Sequence, residues 1–166
     1  MLRYRYVFCS ILISTVLICN EGFAEGVEEL HGNKIMDNSF LLEEAYNQEP
    51  GVIQHIQTFR YLEKSENWEY SFTQEWPVPG QRHQLSYTIP VSYLNDPVNE
   101  TNIGDVALNY RYQLLFQEAV ALAPRFSTLL PTGDYKEGFG SDALGYQMNI
   151  PLSLELSGKL VNHWNV

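Results

Sequence analysis

The chain has 166 residues, enough for one domain of ordinary size. Its 20 acidic and 10 basic residues give a formal charge of −10, which disfavours nucleic acid and anionic headgroups as partners. Mean hydropathy is slightly negative. That argues against helical membrane spans but not against barrel strands, whose two faces average out.

The first 24 residues read as a cleaved secretory signal peptide. Arg3 and Arg5 supply the positive start, residues 7–18 an apolar run of twelve, and Gly22-Phe23-Ala24 a small-residue cleavage site after Ala24. As a helix, twelve residues rise about 18 Å, short of a hydrocarbon core of about 30 Å. Ile18 precedes Cys19, so the small residue that a lipid-attachment signal needs before its cysteine is missing. Cleavage removes Glu21, Arg3 and Arg5, leaving 19 acidic against 8 basic residues and a charge of −11. It also removes Cys9 and Cys19, so an exported chain is left without a disulfide framework.

Residues 25–51 form a polar N-terminal segment. Within it "DNSFLLEEAYNQEPG" (residues 37–51) predicts one short helix, capped by Asp37, Asn38 or Ser39 and stopped by Pro50-Gly51. Such a helix is too short to stand alone and must pack on something larger.

From Val52 to the end the period is two. In "VALNYRYQL" Val106, Leu108, Tyr110, Tyr112 and Leu114 share one face, and Ala107, Asn109, Arg111 and Gln113 the other. "LGYQMNIPLSLEL" sets Leu144, Tyr146, Met148, Ile150, Leu152, Leu154 and Leu156 against Gly145, Gln147, Asn149, Pro151, Ser153 and Glu155. "LSYTIPVSY" and "WEYSFTQEW" alternate in the same way. "LAPRFSTLL", "VIQHIQTFRY" and "LVNHWNV" do so less cleanly. Seven strands result, several of them 9 to 13 residues long. Soluble strands run about 5 to 6 residues and outer-membrane strands about 9 to 11.

The connections "LEKSEN", "PVPGQR", "LNDPVNETNIGD", "FQEA", "TGDYKEGFGSDA" and "SGK" alternate between longer and shorter. Outer-membrane barrels show this asymmetry between external loops and periplasmic turns. Trp68 and Trp76 lie on one face eight residues apart, about 20 Å of membrane height at a tilt near 40°, so they are candidate interface aromatics. Pro90, Pro124 and Pro151 fall within predicted strands, where proline is confined to edges or bulges.

Few residues point to catalysis. "PTGDYKEGFGSD" (residues 131–142) lacks the lysine and hydroxyl of a phosphate loop and lies between strands. It reads as a solvated, mobile external loop. His31, His55, His83 and His163 have no ligand spacing, so no metal or other cofactor is expected. His83 with Ser86 is a candidate hydrolytic pair, though the two point to opposite sides of one strand. The polar strand face carries Arg111, Arg125, Glu69, Glu75, Asn109, Gln113, Gln147, Asn149 and Glu155. Arginine facing lipid costs about 2–4 kcal/mol, so this face is expected to line a lumen, its charges paired or tuning a pore.

"GDVALNYRYQLL", "LAPRFSTLLPTGDY" and "GFGSDALGYQMNIPLSLEL" resemble the outer-membrane transporter family named for the meta-pathway of phenol degradation. "EEAYNQEPGVIQH" and "SFTQEWPVPGQRHQLSYTIPV" extend the resemblance over nearly all of the mature chain. Pro124-Arg125 and Leu130-Pro131-Thr132-Gly133 match the family pattern, while Asn102 stands where its first glycine is usual. The resemblance implies an antiparallel up-and-down outer-membrane β-barrel, porin-like, taking up aromatic or other small hydrophobic compounds, with no catalytic residues. Family barrels are longer and close with an even strand number. Seven strands ending in "NHWNV" therefore read as the N-terminal part, residues 52–166, of a C-terminally truncated barrel. Its expected partners are outer-membrane lipid and a small-molecule solute, with no nucleic acid. The alternatives are a soluble periplasmic barrel or sandwich binding an apolar ligand, and a barrel enzyme acting on lipid.

Overall fold

The computed structural model describes residues 13–18 as backbone only, together with residues 43, 45–157 and 160–166. The expected signal features at Arg3, Arg5 and Ala24, and the expected helix cap at residues 37–39, lie outside the described residues.

The described chain is all-β. Its strands are β1 (Ile13–Ile18), β2 (Val52–Leu62), β3 (Asn67–Pro77), β4 (His83–Leu94), β5 (Glu100–Ile103), β6 (Val106–Tyr112), β7 (Leu115–Gln117), β8 (Val120–Leu122), β9 (Arg125–Leu130), β10 (Gly145–Asn149), β11 (Pro151–Ser157) and β12 (Leu160–Asn165). One sheet runs β1-β2-β3-β4-β6-β9-β10, with β5 also on β4, and a second runs β12-β11-β8-β7. Each strand mostly pairs antiparallel with its sequence neighbour, the meander expected from short connections. β1 comes from the run read as a signal segment and pairs along the start of β2. Among the described residues no pairing returns β10 or β12 to β1 or β2.

The seven predicted runs are present, but the two over residues 122–130 and 144–156 are divided, and β7 falls largely in the stretch read as a connection. The long strand over β6 and β7 breaks at Gln113-Leu114, that over β8 and β9 at Ala123-Pro124, and that over β10 and β11 at Ile150. The breaks are level with one another. Tyr112 N–H donates to Pro124 O at 3.0 Å, and Ala123 N–H to Pro151 O at 3.2 Å. Proline has no donor for a ladder, so Pro124 and Pro151 mark a line where pairing thins and the first sheet gives way to the second. Pro90 sits at a bulge. Thr88 pairs with Ala107 but Val91 with Ile103, so two β4 residues face three on the other strand, and Gly104 N–H closes on Pro90 O at 2.9 Å.

Two expectations are corrected. The described part of the proposed helix, Glu43 and residues 45–51, is irregular and ends in a turn. The third connection is not long: Glu100–Ile103 forms β5 and pairs with Leu94 to Val91, leaving a turn at residues 95–99. The polar "ETN" run is tolerated in a strand because the pairing partner is a continuing hairpin. From β2 onward only the connection between β9 and β10 is long, so the alternation of loop lengths does not hold.

Register fixes the two faces. Gln54, Glu75, Ser86, Asn109, Ser127 and Gln147 are successive partners across six strands. One step along, Trp76, Leu85, Tyr110, Phe126 and Met148 form the opposite row. The polar face is the covered one. Gln84, Gln113, Asn47, Ser127 and Ser153 are among the largest fully buried side chains, whereas Tyr110, Phe126 and Met148 are 40%, 49% and 65% exposed. A water-soluble domain has the reverse distribution. Among the described residues no helix is long and apolar enough to cross a membrane.

Candidate functional site

The polar face holds two features, one at each end of the strands. At the end of the 78–82 and 118–119 turns, Arg111 on β6 and Arg125 on β9 are register partners. Two guanidinium groups directly opposite on one face repel. Glu43, from the segment before β2, lies between them. Its Oε1 is 3.5 Å from Arg111 Nε and its Oε2 is 3.0 Å from Arg125. Asn149 of β10 donates its amide to the same Oε2. Arg111 is also 3.7 Å from Glu75 of β3, whose carboxylate accepts from Gln84 at 2.9 Å. Among the described residues, two cations and two carboxylates thus balance in a setting where an uncompensated charge is expensive.

The rest of the segment is tied down by its backbone. Asn47 N–H donates to Gln113 Oε1 at 2.9 Å and Gln48 N–H to Gln84 Oε1 at 2.8 Å. Gln113 donates to Ala45 O at 2.9 Å, Arg111 to Tyr46 O at 2.8 Å, and Asn165 to Glu43 O at 3.0 Å. These bonds explain the missing helix. The amides and carbonyls that an α-helix would pair internally are satisfied by side chains of the surrounding strands. Ala45 and Asn47 are wholly buried, so the segment closes this end of the polar face.

At the other end the 131–144 connection folds inward. Asp105, between β5 and β6, accepts from Gly133 N–H at 3.0 Å, Ser141 N–H at 2.8 Å and Ser141 Oγ at 2.7 Å. These three bonds on one carboxylate tie the loop to the junction of β5 and β6. Thr132 Oγ1 donates to Gly104 O at 2.8 Å and accepts from Val106 N–H at 2.9 Å. The two arms of the loop cross so closely that a Cβ on Gly133 would lie 2.2 Å from Phe139 O. Phe139 is buried, 6% exposed. The expected mobile loop is instead cross-braced.

Beneath it lies a half-open cavity of about 530 Å³. Thr58, Arg60, Glu69, Ser71, Pro90 and Phe139 contribute to its lining. Arg60 and Glu69 form a 2.6 Å ion pair, and Thr58 and Ser71 a 2.6 Å hydroxyl pair. The wall is mixed: Phe59, Tyr70 and Val91 also line it, so aromatic and apolar groups stand beside one ion pair.

Of the residues singled out from sequence, Arg111, Arg125, Glu75, Gln113 and Asn149 meet around the N-terminal segment. Asn109 joins their face and donates to Ser86 at 3.1 Å. Glu69 belongs to the cavity. Gln147 is exposed on β10. Glu155 lies apart on β11, beside a bulge. Trp68 packs between Phe59 and Tyr93 at 6.0 and 6.2 Å, while Trp76 meets Tyr87 edge-on at 6.0 Å. His83 and Ser86 are not brought together: His83 Nδ1 is 2.7 Å from Tyr110 Oη. A different pair is close, Ser153 Oγ and His163 Nδ1 at 2.8 Å. Ser153 is 1% exposed and takes the Ala45 N–H, which makes it a support for the segment. Sequence reasoning missed Glu43, Asp105 and Phe139. Only Asp105 carried a signal, as the acid of a Gly-Asp pair beside a strand. Among the described residues no three His, Cys, Asp or Glu side chains gather as metal ligands. No protein-family model, curated protein or solved structure matches the chain.

Proposed function

We propose that this chain is part of an outer-membrane β-barrel that passes small solutes, with its polar face as the lumen. The carrying observation is the inversion of polarity, with buried Gln84, Gln113 and Ser127 on one face and exposed Tyr110, Phe126 and Met148 on the other. Lipid demands an apolar outer band, and water demands the reverse. Aromatics on both sides of that band support the reading. Tyr61, Trp68 and Tyr93 are register partners near one end, and Trp76 and Tyr110 lie toward the other. The cavity under Phe139 suits a small solute with apolar and polar parts, including an aromatic one. The Glu43 to Gln48 segment narrows the opposite end. On this reading the signal segment is cleaved after Ala24, β1 is lost, and β2 becomes an edge strand.

The test is heat-modifiable gel mobility of the detergent-extracted protein, followed by single-channel conductance in planar bilayers. A folded band that shifts on boiling, with conductance altered by Arg111→Ala or Arg125→Ala, is expected. Recovery of the protein in the soluble periplasm would sink the proposal. Unchanged conductance and selectivity would make the arginines structural only.

A further inference from the structure

We infer that Arg111, Arg125 and Asn149 form a binding site for a monocarboxylate solute, and that Glu43 is its built-in occupant. The inference deepens the reading of the polar face as a solute path and rests on it.

The side chain of glutamate is a tethered propionate. Around that group the structure places two guanidinium groups at 3.5 and 3.0 Å and one amide donor from Asn149. These groups come from β6, β9 and β10, so the strands build the site and the segment only fills it. Among the described residues, withdrawing Glu43 leaves Arg111, Arg125 and Glu75 with one excess positive charge, the complement of one monoanion.

The surroundings also suit an exchangeable occupant. Beyond Glu43, the segment is held by side-chain groups of Gln84, Gln113, Asn165, Ser153 and Arg111 and by bonds between Asn47 and Gln81. Water or a solute can replace each of these one at a time, whereas a strand ladder opens only as a unit. Ser127 lies in the same row system, two residues from Arg125. It is 1% exposed, and its hydroxyl has no hydrogen-bond partner among the described residues, a polar group available to a ligand seated deeper than Glu43. A tethered carboxylate competes at an effective concentration in the mM range, so free carboxylate displaces it only at comparable levels. A barrel passing solute needs such weak, reversible occupancy.

The experiment uses full-length, detergent-folded protein with propionate as the probe. Propionamide, its neutral isostere, and sodium chloride at equal ionic strength are the controls. In an Ala45→Cys variant, maleimide labelling mapped to that position reports withdrawal of the segment. Propionate is expected to speed labelling several-fold while propionamide and chloride do not. In Glu43→Ala, propionate is expected to raise the unfolding midpoint by about 3 °C through preferential binding to the folded state, and Arg125→Gln in the same background abolishes the rise. If Glu43→Ala does not fold, the labelling arm decides alone. Propionate acting no differently from propionamide or chloride overturns the inference. Both arms read binding, so an absence of conductance would refute the transport reading without touching this result.

Discussion

The sharpest test of the membrane reading compares arginine at two equally exposed outer positions on one strand run. Leu108 on β6 is 49% exposed and Ile103 on β5 is 47% exposed. Both face outward, since Leu108 pairs with Tyr87 and Thr128, and Ile103 with Val91. Leu108 is at the middle of the run from Glu100 to Gln117, and Ile103 is near its loop end. Five residues separate them, about 17 Å along a strand and about 13 Å of height at a tilt near 40°. That is half of an apolar band about 25 Å tall, so Leu108 at mid-depth puts Ile103 at the interface. Arginine should then cost about 2–4 kcal/mol at Leu108 and about 0–1 kcal/mol at Ile103. The first is about a hundredfold loss in the folding equilibrium constant. In water both changes fall within about 0.5 kcal/mol, and any strand-propensity cost is shared by the pair. Urea titration of Leu108→Arg and Ile103→Arg in lipid vesicles, followed by tryptophan fluorescence, measures both. Equal losses, or losses below about 0.5 kcal/mol at both positions, would refute the assignment of this face to lipid.

Three further outcomes follow from the polar face and its loop. The Asp105 carboxylate uses both oxygens, Oδ1 for Gly133 N–H and Oδ2 for Ser141, and Asp105→Asn keeps only one acceptor oxygen. Protection of the Gly133 and Ser141 amides against hydrogen exchange should fall several-fold in that variant while the strand amides keep theirs. Gly140→Ala sets a methyl 2.5 Å from Gly133 O and 2.7 Å from Asp105 Oδ1; limited proteolysis within residues 131–144 should accelerate several-fold while the strands stay intact. Arg125→Gln leaves Glu43 with Arg111 alone and should cost about 1–3 kcal/mol in urea titration. That is less than the 3–5 kcal/mol of a fully buried pair, because the Arg125 side chain keeps 23% exposure.

Strand positions and faces were legible because a period of two is a local property. Asn109, Arg111 and Gln113 alternate with Leu108, Tyr110 and Tyr112 wherever the chain goes. What the alternation could not carry was contact at long separation. Asp105 meets Ser141 across 36 positions and Glu43 meets Asn149 across 106. The helix expectation fails over residues 45–51 for the same reason: "FLLEEAY" has helical spacing, but the amides of Ala45, Asn47 and Gln48 find partners on strands far along the chain. The reading of "ETNIGD" as loop failed because Gly104-Asp105 looks like a turn, whereas here it is the bulge between β5 and β6.

The in-strand prolines, which on sequence argue against long strands, have a part in building the site. Pro124 and Pro151 withdraw two donors at adjacent places, and the breaks at Gln113, Ala123 and Ile150 line up across three strands. A sheet interrupted at one level can bend there without losing pairing above or below, and single bonds such as Leu114 N–H to Leu122 O at 2.9 Å keep the strands together. Ser153 and Asn165 of the second sheet thus meet the segment that Gln84 and Arg111 hold from the first. Without contacts from both sheets, Glu43 and residues 45–48 would rest on an open surface, with their amides solvated. The covered end of the polar face, with Glu43 between its two arginines, therefore sits beside the residues that the alternation rule marks as exceptions.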